Sequence, residues 1–65
     1  MDLDTFMKMK KLTNPELARQ VGSVQSSIRL YRMKKRNPPL GIARKLMIIS
    51  KGLINLEDLI RPEDL

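Results

Sequence analysis

The sequence contains no cysteine and no histidine. The lack of cysteine excludes disulfide bonds and thiolate chemistry, and the lack of both residues removes the usual ligands of zinc and the usual imidazole base. Aromatic residues are almost as rare, because Phe6 and Tyr31 are the only two in 65 residues. We expect both rings to lie in the core rather than to serve as platforms for stacked bases, which disfavours a protein that binds single-stranded RNA.

Long apolar runs are also missing, since no stretch of apolar residues is long enough to span a bilayer. The chain begins with Asp2 and Asp4, whose charge is opposite to that of the first segment of a signal peptide. We therefore expect a cytoplasmic protein. A chain of this length is enough for one domain with a small core, so residues 1–65 are expected to form a single domain.

Acidic residues are scarce in the middle of the chain. Residues 8–51 contain twelve Lys or Arg and the single acid Glu16, whereas residues 52–65 contain four acids and one base, and the net charge is +6. Such an excess of positive charge favours a negatively charged partner, above all nucleic acid. The acids near residue 65 are expected to form a solvated tail, so the sequence indicates neither an enzyme nor a metal or cofactor site.

Residues 12–31, with the sequence LTNPELARQVGSVQSSIRLY, have the pattern of two short helices joined by a tight turn. Thr13 and Glu16 have the spacing of a capping box, which predicts that the first of these helices begins here. Gly22 can adopt the left-handed backbone conformation that ends it. The predicted helices cover residues 15–21 and 24–33, the arrangement of a helix-turn-helix.

The second helix of this pair is predicted to be amphipathic. Val24, Ile28 and Tyr31 recur at helical spacing and are expected to face inward. The opposite face can then meet DNA, where Gln can pair with adenine, Arg with guanine, and an apolar side chain can touch a thymine methyl group. The residues predicted to read bases are Gln25, Ser26, Arg29 and Leu30.

A cluster of cations follows the same helix. Two consecutive prolines cannot continue a helix, so residues 34–39 are expected to form a loop. The cations in and beside this loop would extend a basic strip from the groove of the DNA onto the phosphates. The cations predicted to contact phosphate are Arg32, Lys34, Lys35 and Arg36.

The remaining helices are predicted from apolar spacing and from residues that start or stop helices. In the first helix, Leu3, Phe6 and Met7 should face inward. Gly52 is expected to end the fourth helix, Asn55 to cap a short fifth one, and Pro62 to stop the fold. The predicted ranges are residues 3–11, 40–50 and 56–60, which completes an all-α fold of five short helices.

One alternative stays open in the second half of the chain. Residues 46–50 and 53–56 could form two strands around a turn at residues 51–52, which would give an α+β fold with a C-terminal hairpin. In either case, twelve of the 21 residues from 40 to 60 are apolar. They could cover the core as a lid or form the surface of a homodimer. The residues expected at the dimer surface are Ile48, Leu53 and Ile54.

The motifs of the chain resemble a known family. The segment VGS at residues 21–23, followed by QSSI at residues 25–28, is similar to the Cro and repressor proteins of lambda-like phages and prophages. The second half of the chain is similar to the all-helical branch of these regulators. The residues that carry this second similarity are Ala43, Leu46, Ser50, Gly52 and Ile54, then Glu57-Asp58-Leu59 and Arg61-Pro62-Glu63-Asp64.

This resemblance implies a small repressor that binds a pseudo-palindromic operator as a dimer, with its third helix in the major groove. Gln25 and Ser26 match the first base-reading pair of the family, and Arg29 and Leu30 match later reading positions. The resemblance also adds Asn14 as a residue that meets a phosphate at the start of the second helix.

The chain departs from the family at two places. Family members commonly have an apolar residue after the hinge glycine and then a Ser or Thr cap, whereas Ser23 and Val24 stand in the opposite order here. The position of Leu30 is often polar in relatives.

The function expected from the sequence is that of a transcriptional regulator that binds a double-stranded DNA operator, without catalysis, cofactor or small-molecule substrate. The expected location is the nucleoid of a bacterial host cell. The alternative is a small interaction protein of the antitoxin type, whose basic face and apolar C-terminal half bind a partner protein.

Overall fold

Five α-helices and one short 3₁₀ turn make up the structure, a computed structural model that describes residues 1–65. No strand is present, so the all-α class is confirmed and the alternative hairpin does not form. Pro62 was predicted to stop the fold, but it begins the 3₁₀ turn instead. The elements are α1 Leu3–Lys10, α2 Asn14–Val21, α3 Gln25–Arg32, α4 Leu40–Ile49, α5 Leu56–Leu59 and the 3₁₀ turn Pro62–Asp64.

The helix starts are set by side chains that accept backbone hydrogen bonds. Asp2 accepts from the N–H of Thr5 at 2.8 Å at the start of α1. At the start of α2, the Thr13 hydroxyl accepts from the Glu16 N–H at 3.3 Å and the Glu16 carboxylate accepts from the Thr13 N–H at 3.1 Å, so the predicted capping box is confirmed. The N–H of Thr5 lowers the pKa of Asp2, and the hydroxyl of Thr13, which also donates to the Glu16 carboxylate at 2.8 Å, lowers the pKa of Glu16 together with the Thr13 N–H, because these bonds stabilise the ionised carboxylates.

The core is built from one side of each helix. Met7, Leu17 and Ile28 come from the first three helices and are fully buried. The residues predicted to face inward on α1, Leu3, Phe6 and Met7, are buried, as are Ile28 and Tyr31 on α3. The twelve apolar residues of the core are Leu3, Phe6, Met7, Leu17, Ala18, Val21, Ile28, Tyr31, Ala43, Leu46, Ile54 and Leu59.

Two apolar residues lie elsewhere than predicted. Val24 was expected to face inward, but it is 60% exposed, because it precedes α3 with an extended backbone and so leaves the helical stripe of Ile28 and Tyr31. Ile54 was expected at a dimer surface, but it is only 1% exposed and belongs to the core. Its N–H donates to the hydroxyl of the buried Ser50 at 3.0 Å, which turns the chain after α4 back into the core.

The ends of four helices adopt left-handed backbone conformations. Gly22 ends α2 with φ 72°, as predicted. The ends of α1, α3 and α4 place a lysine in this conformation instead, at Lys11, Lys34 and Lys51, with φ between 53° and 56°. At the end of α4, Lys51 is thus the first residue with a left-handed conformation, one position before Gly52, which was predicted to end the helix. A residue with a Cβ atom pays roughly 1–2 kcal/mol for this conformation.

We predict that Lys11→Gly stabilises the protein. Glycine removes the strain at Lys11 at a smaller cost in the entropy of the unfolded chain, for a net gain of about 0.5–1 kcal/mol. The melting temperature should rise by roughly 2–8 °C. Lys10→Gly is the matched control, since Lys10 is the last residue of α1 and glycine there should cost about 1 kcal/mol. Equal destabilisation by the two changes would contradict the prediction.

Candidate nucleic-acid interface

A turn of three residues, 22–24, joins α2 to α3. The N–H of Ser23 donates to the carbonyl of Ala18 at 2.9 Å, which closes the end of α2. Lys45 on α4 donates to the carbonyl of Val21 at 3.3 Å, so a cation lies at the negative end of the α2 dipole. The end of α2 is thus fixed by a hydrogen bond from the turn itself and by one from α4.

The outward face of α3 carries polar side chains without partners in the protein. Ile28 and Tyr31 hold α3 in the core, whereas Gln25, Ser26 and Arg29 are exposed. None of these three side chains takes part in a hydrogen bond or ion pair within the chain, and their donors and acceptors are free to bind a ligand. Leu30, the fourth residue predicted to read bases, is half-buried and presents only part of its side chain.

Arg32 joins the first three helices and is not free. Its Nε donates to Asp4 Oδ1 at 2.9 Å, its Nη2 lies 2.7 Å from the same oxygen, and its Nη1 donates to Asn14 Oδ1 at 2.8 Å. Lys8 also pairs with Asp4 at 3.0 Å, and the hydrogen bonds from Lys8 and Arg32 lower the pKa of Asp4. Each nitrogen of the Arg32 guanidinium group already has a partner, so Arg32 is less available for its predicted phosphate contact than an unpaired cation.

This network sets the orientation of Asn14. Because Asn14 Oδ1 accepts from Arg32, the amide nitrogen of the same side chain is left to donate elsewhere. Asn14 and Arg29 line one open cleft of about 310 Å³, together with Asp4, Arg32 and Met33. The structure therefore brings together Arg29, predicted to read bases, and Asn14, predicted to meet a phosphate.

The cations of the loop after α3 differ in their surroundings. Lys35 and Arg36 are exposed and form no ion pair. Lys34 also forms no ion pair, but it is half-buried and therefore less accessible to a ligand. Lys35 and Arg36 are the better candidates for phosphate contacts.

The C-terminal residues hold the same loop in place. Asn37 Oδ1 accepts from the N–H of Arg61 at 2.8 Å, and Asn37 Nδ2 donates to Asp64 Oδ2 at 2.8 Å. The guanidinium group of Arg61 pairs with Glu63. The tail was predicted only as a solvated segment, and no local pattern indicated that Asn37, 24 residues before Arg61, would bind it.

The residues predicted at a dimer surface divide into two groups. Ile48 is 74% exposed and Leu53 is 45% exposed, so both can meet a partner, whereas Ile54 cannot. Leu40 and Leu56 add further exposed apolar surface to the second half of the chain. The exposed apolar surface therefore includes residues that the sequence analysis did not assign to a dimer surface, namely Leu40 and Leu56.

Most of the positive charge of the protein is not neutralised by ion pairs. Of the thirteen Lys and Arg residues, only Lys8, Arg32 and Arg61 pair with a carboxylate. No three carboxylates come together in a group that could hold a metal ion. None of the helices has the length and the apolar character needed to cross a membrane.

Comparisons with protein-family models, with curated proteins and with solved structures found no match to this chain.

Proposed function

We propose that this protein is a sequence-specific DNA-binding transcriptional regulator in which α2 and α3 act as a helix-turn-helix. The observation that carries the proposal is the outward face of α3, where Gln25, Ser26 and Arg29 are exposed and have no partner in the protein. Polar side chains that are held on a rigid helix and left free are suited to a ligand that displays donors and acceptors in a fixed pattern. The major groove of DNA is such a ligand and is wide enough for a helix.

In this mechanism α3 lies in the major groove. Gln25 and Arg29 are four residues apart and lie one helical turn from each other, so they can address neighbouring base pairs. Asn14, Lys35 and Arg36 bind phosphates at the sides of the groove and set the register of the helix. Arg32 holds Asn14 and α1 in place without touching DNA.

The resemblance to Cro-like proteins supports a repressor of a phage or prophage that acts by occupying an operator in the nucleoid. Repression of this kind needs affinity and specificity but no catalytic group. The unpaired cations supply affinity, and the outward face of α3 supplies specificity.

Gln25→Ala should reduce specificity while leaving general DNA affinity unchanged. The test uses a duplex selected from a random-sequence library with the wild-type protein. Loss of a bidentate contact should cost about 1–3 kcal/mol on the selected duplex and almost nothing on random duplex. Gln20→Ala on α2 is the matched control, since Gln20 is also an exposed glutamine without a partner. Equal loss on both duplexes, with the melting temperature unchanged, would show that α3 does not read bases.

Replacing Lys35 and Arg36 together with alanine should weaken binding to selected and random duplex alike. The slope of the logarithm of affinity against the logarithm of salt concentration should flatten by about two units, because two phosphate contacts are lost. Arg44 and Lys51 offer a control pair in the second half of the chain that removes the same charge. If both pairs change the slope equally, the loop has no special part in binding.

We propose further that the protein binds DNA as a homodimer through the apolar surface of its second half. Ile48 and Leu53 form part of this surface, and a monomer leaves both in contact with water. A second copy of the chain covers this surface and presents a second α3 to the DNA. A pseudo-palindromic operator would match such a symmetric pair.

Ile48→Asp should shift the protein toward the monomer, because a carboxylate at a closed apolar interface loses its hydration. Sedimentation equilibrium should show a weaker self-association, and the affinity for the selected duplex should fall most at low protein concentration. Met9→Asp serves as the control, since Met9 is 48% exposed but lies on α1, outside this surface. Unchanged sedimentation of the Ile48 variant would place Ile48 outside the interface.

A further inference from the structure

We propose that Val24 is a specificity-determining residue that contacts the methyl group of thymine in the major groove. This inference rests on the proposed function, because it assigns a further base contact to the same surface.

The position of Val24 is the first argument. It is the residue that caps the N-terminal end of α3 and directly precedes Gln25, and it is 60% exposed. Its backbone is extended, with φ −114° and ψ 154°, which separates it from the buried stripe of the helix. Val24 therefore lies beside the polar face of α3 and not in the core.

The second argument is that valine is a poor choice for folding at this position. Asp2 and Thr13 cap α1 and α2 through their side chains, whereas Val24 makes no side-chain hydrogen bond to α3. Valine ranks far below Ser, Thr, Asn and Asp as an N-cap residue, and the difference is worth about a factor of five in the folding equilibrium. Neither a buried contact nor a cap explains Val24, which leaves its exposed methyl groups as its contribution.

The third argument is chemical complementarity. The methyl group of thymine is the only apolar group that base edges display in the major groove, and apolar side chains recognise it by direct contact. The neighbouring Gln25 can pair with adenine, so the two residues together suit a site in which adenine and thymine occur at adjacent positions. A β-branched side chain has a stiff χ1 and holds its methyl groups in place for such a contact.

The experiment compares the wild type with Val24→Thr and Val24→Ser. The probes are a duplex selected from a random-sequence library with the wild type, and copies of it in which each thymine is replaced in turn by uracil, which lacks only the methyl group. For the wild type, one uracil substitution in a half-site should weaken binding by about fourfold, as expected for one buried methyl group. This penalty should shrink for the threonine variant, which keeps one methyl group, and vanish for the serine variant.

The melting temperature is the second readout, and it should rise as recognition of thymine falls. Threonine and serine both add a side-chain cap to α3, so the melting temperature should rise in both variants, while recognition of thymine is weakened by threonine and lost with serine. Met9→Ser is the matched control, because Met9 is 48% exposed on α1 and its loss should leave the uracil penalty as in the wild type.

The possible failures are distinguishable. If selection with the wild type enriches no sequence, the proposed function itself is wrong. If a sequence is enriched but every uracil substitution affects the wild type and Val24→Ser equally, the function stands and the assignment of Val24 is overturned.

Discussion

The fold depends on a core that no helix could form alone. Each of the first three helices has eight residues, and isolated helices of this length are not stable in water. Met7, Leu17 and Ile28 come from the three helices and have no exposed surface in the core. Each helix is therefore stabilised by packing its apolar side chains against the other two helices. The chain after α4 completes the same core through Ile54 and Leu59.

Only one side of α3 is needed for the core, so its other side is available for a function. The core takes only Ile28 and Tyr31 from α3, and Arg32 secures its C-terminal end through Asp4 and Asn14. The rest of the outward face contributes little to folding, so its side chains can be chosen for a ligand. Residues of this face that are not needed for stability can also change without loss of the fold.

The local features of the fold could be predicted from the sequence because each depends on residues close together in the chain. Thr13 and Glu16 are three residues apart, and Gly22 acts through its own backbone. Apolar spacing likewise predicted the buried face of α1. The exposure of Gln25 and Arg29 followed from the same periodicity.

The features that could not be predicted depend on distant residues or on a small shift in a helix boundary. Arg32 and Asp4 are 28 residues apart, and no local pattern indicates that a cation at the end of α3 is already paired. The assignment of Val24 was wrong because α3 begins one residue later than expected, which moves that side chain off the helical stripe. Ile54 was misplaced because the hydroxyl of Ser50, four residues earlier, turns the chain into the core.

The central claim is that DNA meets the protein on the outward face of α3. Chemical-shift mapping by NMR tests it directly, through titration of the isotope-labelled protein with a duplex selected from a random-sequence library. The account predicts that the largest shifts fall on the side-chain amide of Gln25, the guanidinium N–H of Arg29 and the amide of Asn14, with small shifts in α5. If the largest shifts lay in α4 and α5 and the signals of α3 stayed in place, the surface assigned here would be the wrong one.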